Sequence, residues 1–378
     1  MADTLRIGVI GLGNIGQLHT RLLREGQIEG ASLAAVCSRA PVELGVPHFT
    51  DYRTLLASGL VDAVLIATPT ASHLEMGLAA CEQGVHLLME KPLGMTLSAA
   101  QQLVAASPKD MCFGVMLNQR FDPQYAKIKA LLDENALGQL TRIAWVMTAW
   151  YRPDIYYQVS EWRGTWPGEG GGLLINQCIH NLDVLQWWVG LPEELYAMVG
   201  FGARHDIDVE DEVTAVMRFA HGLTGTLIAS TGEAPGMNQL DIIGDRGSLR
   251  LDDNGLTFKQ ADQSVSEHLA TSRDMFGLPD FTPTELTVGE PVNQHAAVLQ
   301  NFVQACAGEA ALATPVEAGL ASIELANAIL LSGWQQQPLR LPLNTRVFDQ
   351  QLAARIAQSS LRVPREVDVK IDMDASFR

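Results

Sequence analysis

The sequence is short of the features that mark a special environment. Only five cysteines stand among 378 residues, at Cys37, Cys81, Cys112, Cys178 and Cys306, and no two form a C-x-x-C pair. An odd, scattered set argues against a disulfide framework or a cysteine zinc site and predicts buried free thiols, with no metal. Positive charge is also scarce: 26 Lys and Arg face 43 Asp and Glu, a net charge of −17. Phosphate backbones and anionic lipid surfaces call for a basic counter-surface, so neither nucleic acid nor a membrane is expected as a partner. A local basic pocket for one phosphorylated ligand stays compatible with that balance. No apolar run approaches the roughly 20 residues of a bilayer span. The opening residues lack a basic n-region, a long apolar stretch and an A-x-A-like site, so a cytoplasmic protein is expected. The 33 glycines and 17 prolines follow no period and no internal repeat is present, which excludes collagen-like and solenoid chains.

What is present is globular, with 47% hydrophobic and 18% charged residues. The length exceeds the ~100–200 residues usual for one domain, so two are expected, at residues 1–120 and 121–378, with the last segment packing back on the chain. In the first, apolar runs at 6–10, 33–37, 63–67, 86–89 and 111–116 have the consecutive Val, Ile, Leu and Met of strands buried on both faces. Helical patterns at 15–24, 52–57, 72–83 and 97–106 separate them. That alternation predicts an α/β domain with a doubly wound parallel sheet. Beyond Arg120, longer strands at 141–150, 195–202, 213–219, 225–231 and 239–243 predict an α+β domain with a mostly antiparallel open sheet. Helices at 125–133, 173–188, 293–307 and 315–332 are expected to cover it, and 262–284 to form a long surface loop.

Gly11, Gly13, Asn14, Ile15 and Gly16 fall in a G-x-G-x-x-G motif. The spacing alone is weak, but here it joins the strand RIGVI to the helix IGQLHTRLL. That context puts backbone N–H groups and a helix N-terminus where a dinucleotide pyrophosphate would sit. The second strand runs into Ser38-Arg39 and not into the acidic residue that accepts a ribose 2′-hydroxyl. A hydroxyl beside a guanidinium suits a 2′-phosphate and favours NADP. NAD stays possible if Arg39 only stacks on adenine and Ser38 meets the 2′-hydroxyl. Thr68 and Pro69, after the strand at 63–67, would border the nicotinamide.

Two later segments carry more. Glu90-Lys91-Pro92 follows a strand, placing Lys91 at the carboxyl edge of the sheet, where open α/β sheets bind ligands. In GGGLLINQCIHNLD, Asn176, His180 and Asp183 are spaced for one face of a helix, a polar stripe that needs partners. Nine of thirteen Trp and Tyr residues lie between Trp145 and Trp188. Trp145, Trp187 and Trp188 read as core or strand residues. The loop 151–166, with Tyr151, Tyr157, Trp162 and Arg163, is the better candidate for a wall against a pyranose ring.

GLGNIG, EKPLGMT and GGGLLINQCIHNLD, in this order and at these separations, resemble the Gfo/Idh/MocA family of oxidoreductases. The likeness covers nearly the whole chain, including the helix and closing strand of TPVEAGLASIELANAILLS and LRLPL. It implies that Lys91 and His180 face the substrate beside the nicotinamide, with Asn176 as a third catalytic-site residue. Many relatives have aspartate where this chain has Asn176, and an amide cannot accept a proton, so the choice of base between Lys91 and His180 stays open. His73, Glu90 and Asn118 join the expected cofactor site, and Gln177 the substrate site. The activity implied is hydride transfer between a nicotinamide cofactor and a ring secondary hydroxyl of a sugar, glycoside or cyclitol. Relatives with an N-Q…H version of this helix include sugar 3-dehydrogenases, which makes C3 of a pyranose the first position to test. The alternatives are a glycosidase of the same fold that oxidises transiently and a non-enzymatic sugar-sensing regulator. A homodimer or homotetramer is also expected.

Overall fold

The computed structural model describes residues 4–367. The chain opens with β1 (Leu5–Ile10), α1 (Asn14–Arg24), β2 (Ala31–Cys37), β3 (His48–Phe49), α2 (Tyr52–Leu56), β4 (Ala63–Ile66), α3 (His73–Gln83), β5 (His86–Met89), α4 (Leu97–Ala106) and β6 (Phe113–Val115). These strands form one parallel sheet in the order β3-β2-β1-β4-β5-β6. β4 is buried at every position because both of its faces are covered. Asp51 and Thr96 accept backbone N–H groups at the starts of α2 and α4, fixing where those helices begin.

Asp122 then caps α5 (Pro123–Asp133), with proline at the first helical position, where its missing N–H costs nothing. The rest of the chain holds β7 (Leu140–Met147), α6 (Asp154–Gln158), α7 (Trp166–Glu169), α8 (Leu173–Asn176), α9 (Ile179–Val189), β8 (Glu194–Phe201), β9 (Glu210–Arg218), β10 (Thr224–Ser230) and β11 (Asn238–Gly244). It continues through β12 (Gly247–Asp252), β13 (Gly255–Ala261), α10 (Val265–Thr271), β14 (Phe281–Glu285), α11 (Gln294–Cys306), α12 (Ala318–Gln335), β15 (Leu339–Arg340) and α13 (Thr345–Ile356). A nine-stranded sheet runs β14-β13-β12-β11-β7-β10-β9-β8-β15. It is antiparallel except for the β7–β10 pair. Its strands alternate buried and open positions, as in β9 and β10, so in one chain a single face is packed.

Three expectations need correction. The stretch 262–284 is not one loop: it holds α10 and most of β14, which extends the sheet by pairing with β13. Helix α11 does not cover the second sheet. Its Val298, Leu299, Phe302 and Val303 pack with Ile7, Val9, Val36 and Leu65, filling the face of the parallel sheet that α1 leaves open. The single helix expected over 173–188 is two, because the Cys178 N–H donates to the Leu173 carbonyl, five residues back, at 2.8 Å. That widened turn offsets α9 from α8. Near the described end, the backbone N–H groups of Arg362 and Arg365 donate to the carbonyls of Glu161 and Gln158. Residues 368–378, also part of the expected packed-back segment, lie outside the described residues.

Candidate active site

The glycine-rich turn divides its work among three residues. Gly11 has φ +94°, and a Cβ there would lie 2.5 Å from the Ala67 carbonyl oxygen. At Gly16 a Cβ would lie 1.9 Å from the Gly11 carbonyl oxygen, so helix and turn touch backbone to backbone. At Gly13 a Cβ would meet nothing within 4 Å. α1 starts immediately after it, at Asn14 and Ile15, with no side chain capping its N–H groups. Open space over uncapped helix N–H groups is the cradle a dinucleotide pyrophosphate requires, and these residues fit that group. At the end of β2, Arg39 is exposed and Ser38 is tied down, its hydroxyl donating to the Ala40 carbonyl at 2.7 Å and lying 3.0 Å from His48 Nε2. His48, which the sequence did not single out, adds a second nitrogen group to this corner.

Thr68 and Pro69 follow β4 at the carboxyl edge of the sheet. His73 does not open toward that edge. Its ring is buried between the carbonyls of Pro92 (2.8 Å) and Thr68 (2.9 Å), where it braces the two loops. Burial holds its pKa below the ordinary value despite those contacts. Glu90 is buried too, 2.7 Å from His19 Nε2 and accepting the Lys91 N–H at 3.2 Å. Burial pushes its carboxyl up, but the hydrogen bond and charge of His19, together with the charges of His295 and Lys91, outweigh that and leave its pKa lowered.

The offset between α8 and α9 leaves the Asn176 carbonyl to accept the Lys91 ammonium, at 2.7 Å. Burial lowers the Lys91 pKa, Glu90 and Glu169 oppose that shift, and Arg152 and Arg163 add to it. His180 enters from the first turn of α9. Burial, with the charges of Lys91 and His295, holds it well below the usual imidazole range, so it is uncharged at neutral pH. Asp183 does not continue the expected stripe into the site. It makes a buried two-pronged pair with Arg120, at 2.7 and 2.8 Å, that ties α9 to the turn after β6. The Asn176 amide donates to Glu169 at 2.6 Å, and the amides of Asn176 and Gln177 both reach the Tyr156 hydroxyl at 3.3 Å.

A cleft of about 570 Å³ opens beside His180, lined by Asn118, Gln119, Trp150, Asn181, Asn238 and Gln294 among others. Three of its lining residues keep a buried polar atom without a hydrogen-bond partner: Asn118 Oδ1, Gln119 Oε1 and His180 Nδ1. The expected aromatic wall is placed differently. Tyr151 is exposed, and Tyr157 is turned into the interior, its hydroxyl donating to Thr231 Oγ1 at 3.3 Å. Arg163 lies over the rings of Tyr156 (4.2 Å) and Trp162 (4.9 Å). None of Tyr151, Tyr157, Trp162, Arg163 or Lys91 lines the cleft, whereas Trp150, whose indole N–H donates to Asn181, does. Glu169, Tyr156, Gln119, Asn238 and Gln294 were missed from sequence, while Asn118, expected at the cofactor, lines this cleft. A carboxylate between Trp166 and the Gly170–Gly172 run was the one available signal.

A dinucleotide cradle on a parallel sheet, with a half-buried lysine and an uncharged histidine at its carboxyl edge, defines a nicotinamide-dependent oxidoreductase. The chain belongs to the Gfo/Idh/MocA family. Residues 5–118 match the model of the oxidoreductase family with an NAD-binding Rossmann fold, and residues 125–250 match that of the GFO/IDH/MocA C-terminal domain. A relative is the scyllo-inositol 2-dehydrogenase (NAD(+)) of Bacillus subtilis, 27% identical over 74% of this chain and 82% of its own. The fold is similar to that of the WlbA dehydrogenase from Bordetella pertussis in complex with NADH and UDP-GlcNAcA, with TM-score 0.76, 24% identity, and 90% of this chain and 100% of that one covered. It is also similar to levoglucosan dehydrogenase in complex with NADH and levoglucosan, with TM-score 0.75, 21% identity, and 90% and 100% covered. Among the described residues no helix is long and apolar enough to cross a membrane, and no group of side chains is placed to hold a metal ion.

Proposed function

We propose that this protein oxidises a ring secondary hydroxyl of a sugar, glycoside or cyclitol, or reduces the corresponding ketone, with C3 of a pyranose the first position to test. The observation that carries this reading is the cleft beside His180. Its walls carry seven carboxamides and one tryptophan, set among Arg21, Asp122, Tyr125, His295 and apolar side chains, and three buried polar atoms there lack partners. Unpaired buried polar groups favour a ligand that brings hydrogen bonds, and amides both donate and accept, as vicinal hydroxyls require. An indole face adds a surface for ring C–H groups. The named substrates of the relatives, inositol and levoglucosan, belong to the same class.

When bound, the nicotinamide supplies the hydride acceptor or donor. The protein's own part is proton handling and charge. Uncharged His180 is in the form that accepts the hydroxyl proton, and the Lys91 ammonium stabilises negative charge growing on that oxygen. Asn176 holds Lys91 through its carbonyl. NADP(H) is the preferred cofactor, because Ser38, Arg39 and His48 stand where a 2′-hydroxyl acceptor would carry a carboxylate. A second copy of the chain covers the open face of the nine-stranded sheet, where Met198 and Val216 are 61% and 49% exposed. Purified protein should change nicotinamide absorbance with pyranoses, pyranosides or inositols. Turnover of acyclic 2-hydroxy acids without any of these would overturn the substrate class.

A further inference from the structure

Of the buried ionisable groups around Lys91, one has no place in the chemistry so far. Glu169 is the last residue of α7 and only 3% exposed. Its neighbours leave it little choice of direction. A Cβ on Gly168 would lie 2.2 Å from the Trp162 carbonyl oxygen, and one on Gly170, at φ +73°, would lie 2.6 Å from Met95 Cβ. The backbone is pressed against its surroundings on both sides and the carboxylate is buried. One oxygen accepts the Gly164 N–H at 2.7 Å, and the other accepts the Asn176 side-chain amide at 2.6 Å. The carbonyl of the same Asn176 holds Lys91 Nζ at 2.7 Å.

We propose that Glu169 is a positioning residue for Lys91: through Asn176 it fixes the carbonyl that orients the ammonium, and its charge keeps that ammonium protonated. This rests on the reading in which Lys91 serves the substrate oxygen. Closing the 164–169 turn requires an acceptor but no charge. A buried carboxylate is costly unless cations and N–H donors compensate it, and the cations that do so here are Arg163 and Lys91. An amide has no proton to relay, so Glu169 acts by charge and geometry and is not a shuttle. The groups facing it are Arg163 from the preceding turn, Lys91 from the loop after β5, Tyr157 from α6 and Glu210 from β9; those acting on Lys91 itself are Glu90, whose charge raises it more than that of Glu169, with Arg152, Arg163, His73, His180 and His295. Burial raises its own carboxyl to about 7, against which Gly164, Arg163, Asn176 and Lys91 all pull down. Its charge therefore acts on Lys91 as the pH rises past about 7.

The test is the pH dependence of trace acetylation of Lys91 by acetic anhydride, read by peptide mass spectrometry. The chain has six lysines, so the Lys91 peptide is resolved. In Glu169→Gln the midpoint of Lys91 labelling should fall by about one pH unit, as expected on losing a nearby opposite charge. In Glu169→Gln/Asn176→Asp, which returns a carboxylate one side chain away, it should recover. The alkaline limb of kcat should move with it, which loss of packing alone would not produce. An unchanged midpoint in a folded Glu169→Gln protein overturns the proposal. If that variant melts early, the labelling is read below its melting temperature, where the same fall is expected and an unchanged midpoint likewise overturns the proposal. Absence of polyol oxidation by the wild type would count against the substrate reading and leave the labelling curve as it is.

Discussion

The glycine-rich turn allows stability and cofactor binding to be separated by single methyl groups. At Gly13 the backbone lies at φ −68° and ψ −172°, open to any residue, and a Cβ would have no neighbour within 4 Å. Gly13→Ala trades a slightly poorer helix N-cap against a less flexible unfolded chain, so the nucleotide-free protein should change by no more than about 1 kcal/mol. The same methyl would occupy the space over the α1 N–H groups. Losing one or two charge-assisted hydrogen bonds of about 1.5–3 kcal/mol each should weaken nucleotide binding at least ~10-fold and as much as ~100-fold or more. Gly16→Ala is the converse. Its Cβ would lie 1.9 Å from the Gly11 carbonyl oxygen, well inside contact, so either the turn or the helix must move, at about 1–3 kcal/mol. Thermal melts without nucleotide, paired with quenching of tryptophan fluorescence by NADPH and NADH, read both quantities. A Gly13→Ala protein that melts and binds like wild type would refute the placement of the pyrophosphate.

Arg39→Ala should lower NADP(H) affinity by ~10-fold or more through loss of a charge-assisted contact and leave NAD(H) nearly unchanged; equal loss for both, or none, refutes the 2′-phosphate assignment. Lys91→Met should keep nucleotide binding but lose turnover by ~10²–10³-fold, and an active variant would remove Lys91 from the site. With His180 held well below the ordinary imidazole value, activity should persist below pH ~6.5, and a limb near that value that disappears in His180→Ala would contradict the burial argument. Glu169 and Glu210 are both raised by burial from 4.5 to about 7, so the folded state binds more protons than the unfolded state between those values. Their stabilising contribution is present at low pH and is lost as pH rises through about 7. The thermal midpoint should therefore fall between pH 6 and 8 by the equivalent of roughly 1 kcal/mol per carboxyl, and less in Glu169→Gln. Light scattering at micromolar concentration should show a dimer or tetramer, and a monomer would refute the covered sheet face.

The sequence was most legible where burial is symmetrical. β1, β2, β4 and β5 were found close to their observed bounds because strands covered on both faces read as unbroken apolar runs. β12 and β13 were missed because about half their residues face outward and short turns such as Asp253–Asn254 interrupt the pattern, and β14 because its residues 281–284 are all exposed and show no apolar stripe. The destination of α11 could not be read at all: its apolar stripe states that it packs, and nothing local states that the partner is a sheet whose Ile7, Val9, Val36 and Leu65 stand more than 200 residues earlier.

The site divides along the same line. Gly11, Gly16, Lys91 and His180 could be singled out because the local turn, strand edge or helix that carries them marks them. The ring of partners was not, because it depends on tertiary placement. The 2.8 Å bond from Cys178 to Leu173 interrupts one helical pattern, and that interruption releases the Asn176 carbonyl to Lys91. The same break keeps Asn176, on α8, beside Glu169 while His180 and Asp183 follow the turn of α9, so a stripe drawn at i, i+4 and i+7 splits into two environments. From sequence, Asn176 reads as a carboxylate lost. In three dimensions a carboxylate lies one hydrogen bond away, on Glu169, and the charge that Lys91 experiences depends on both residues.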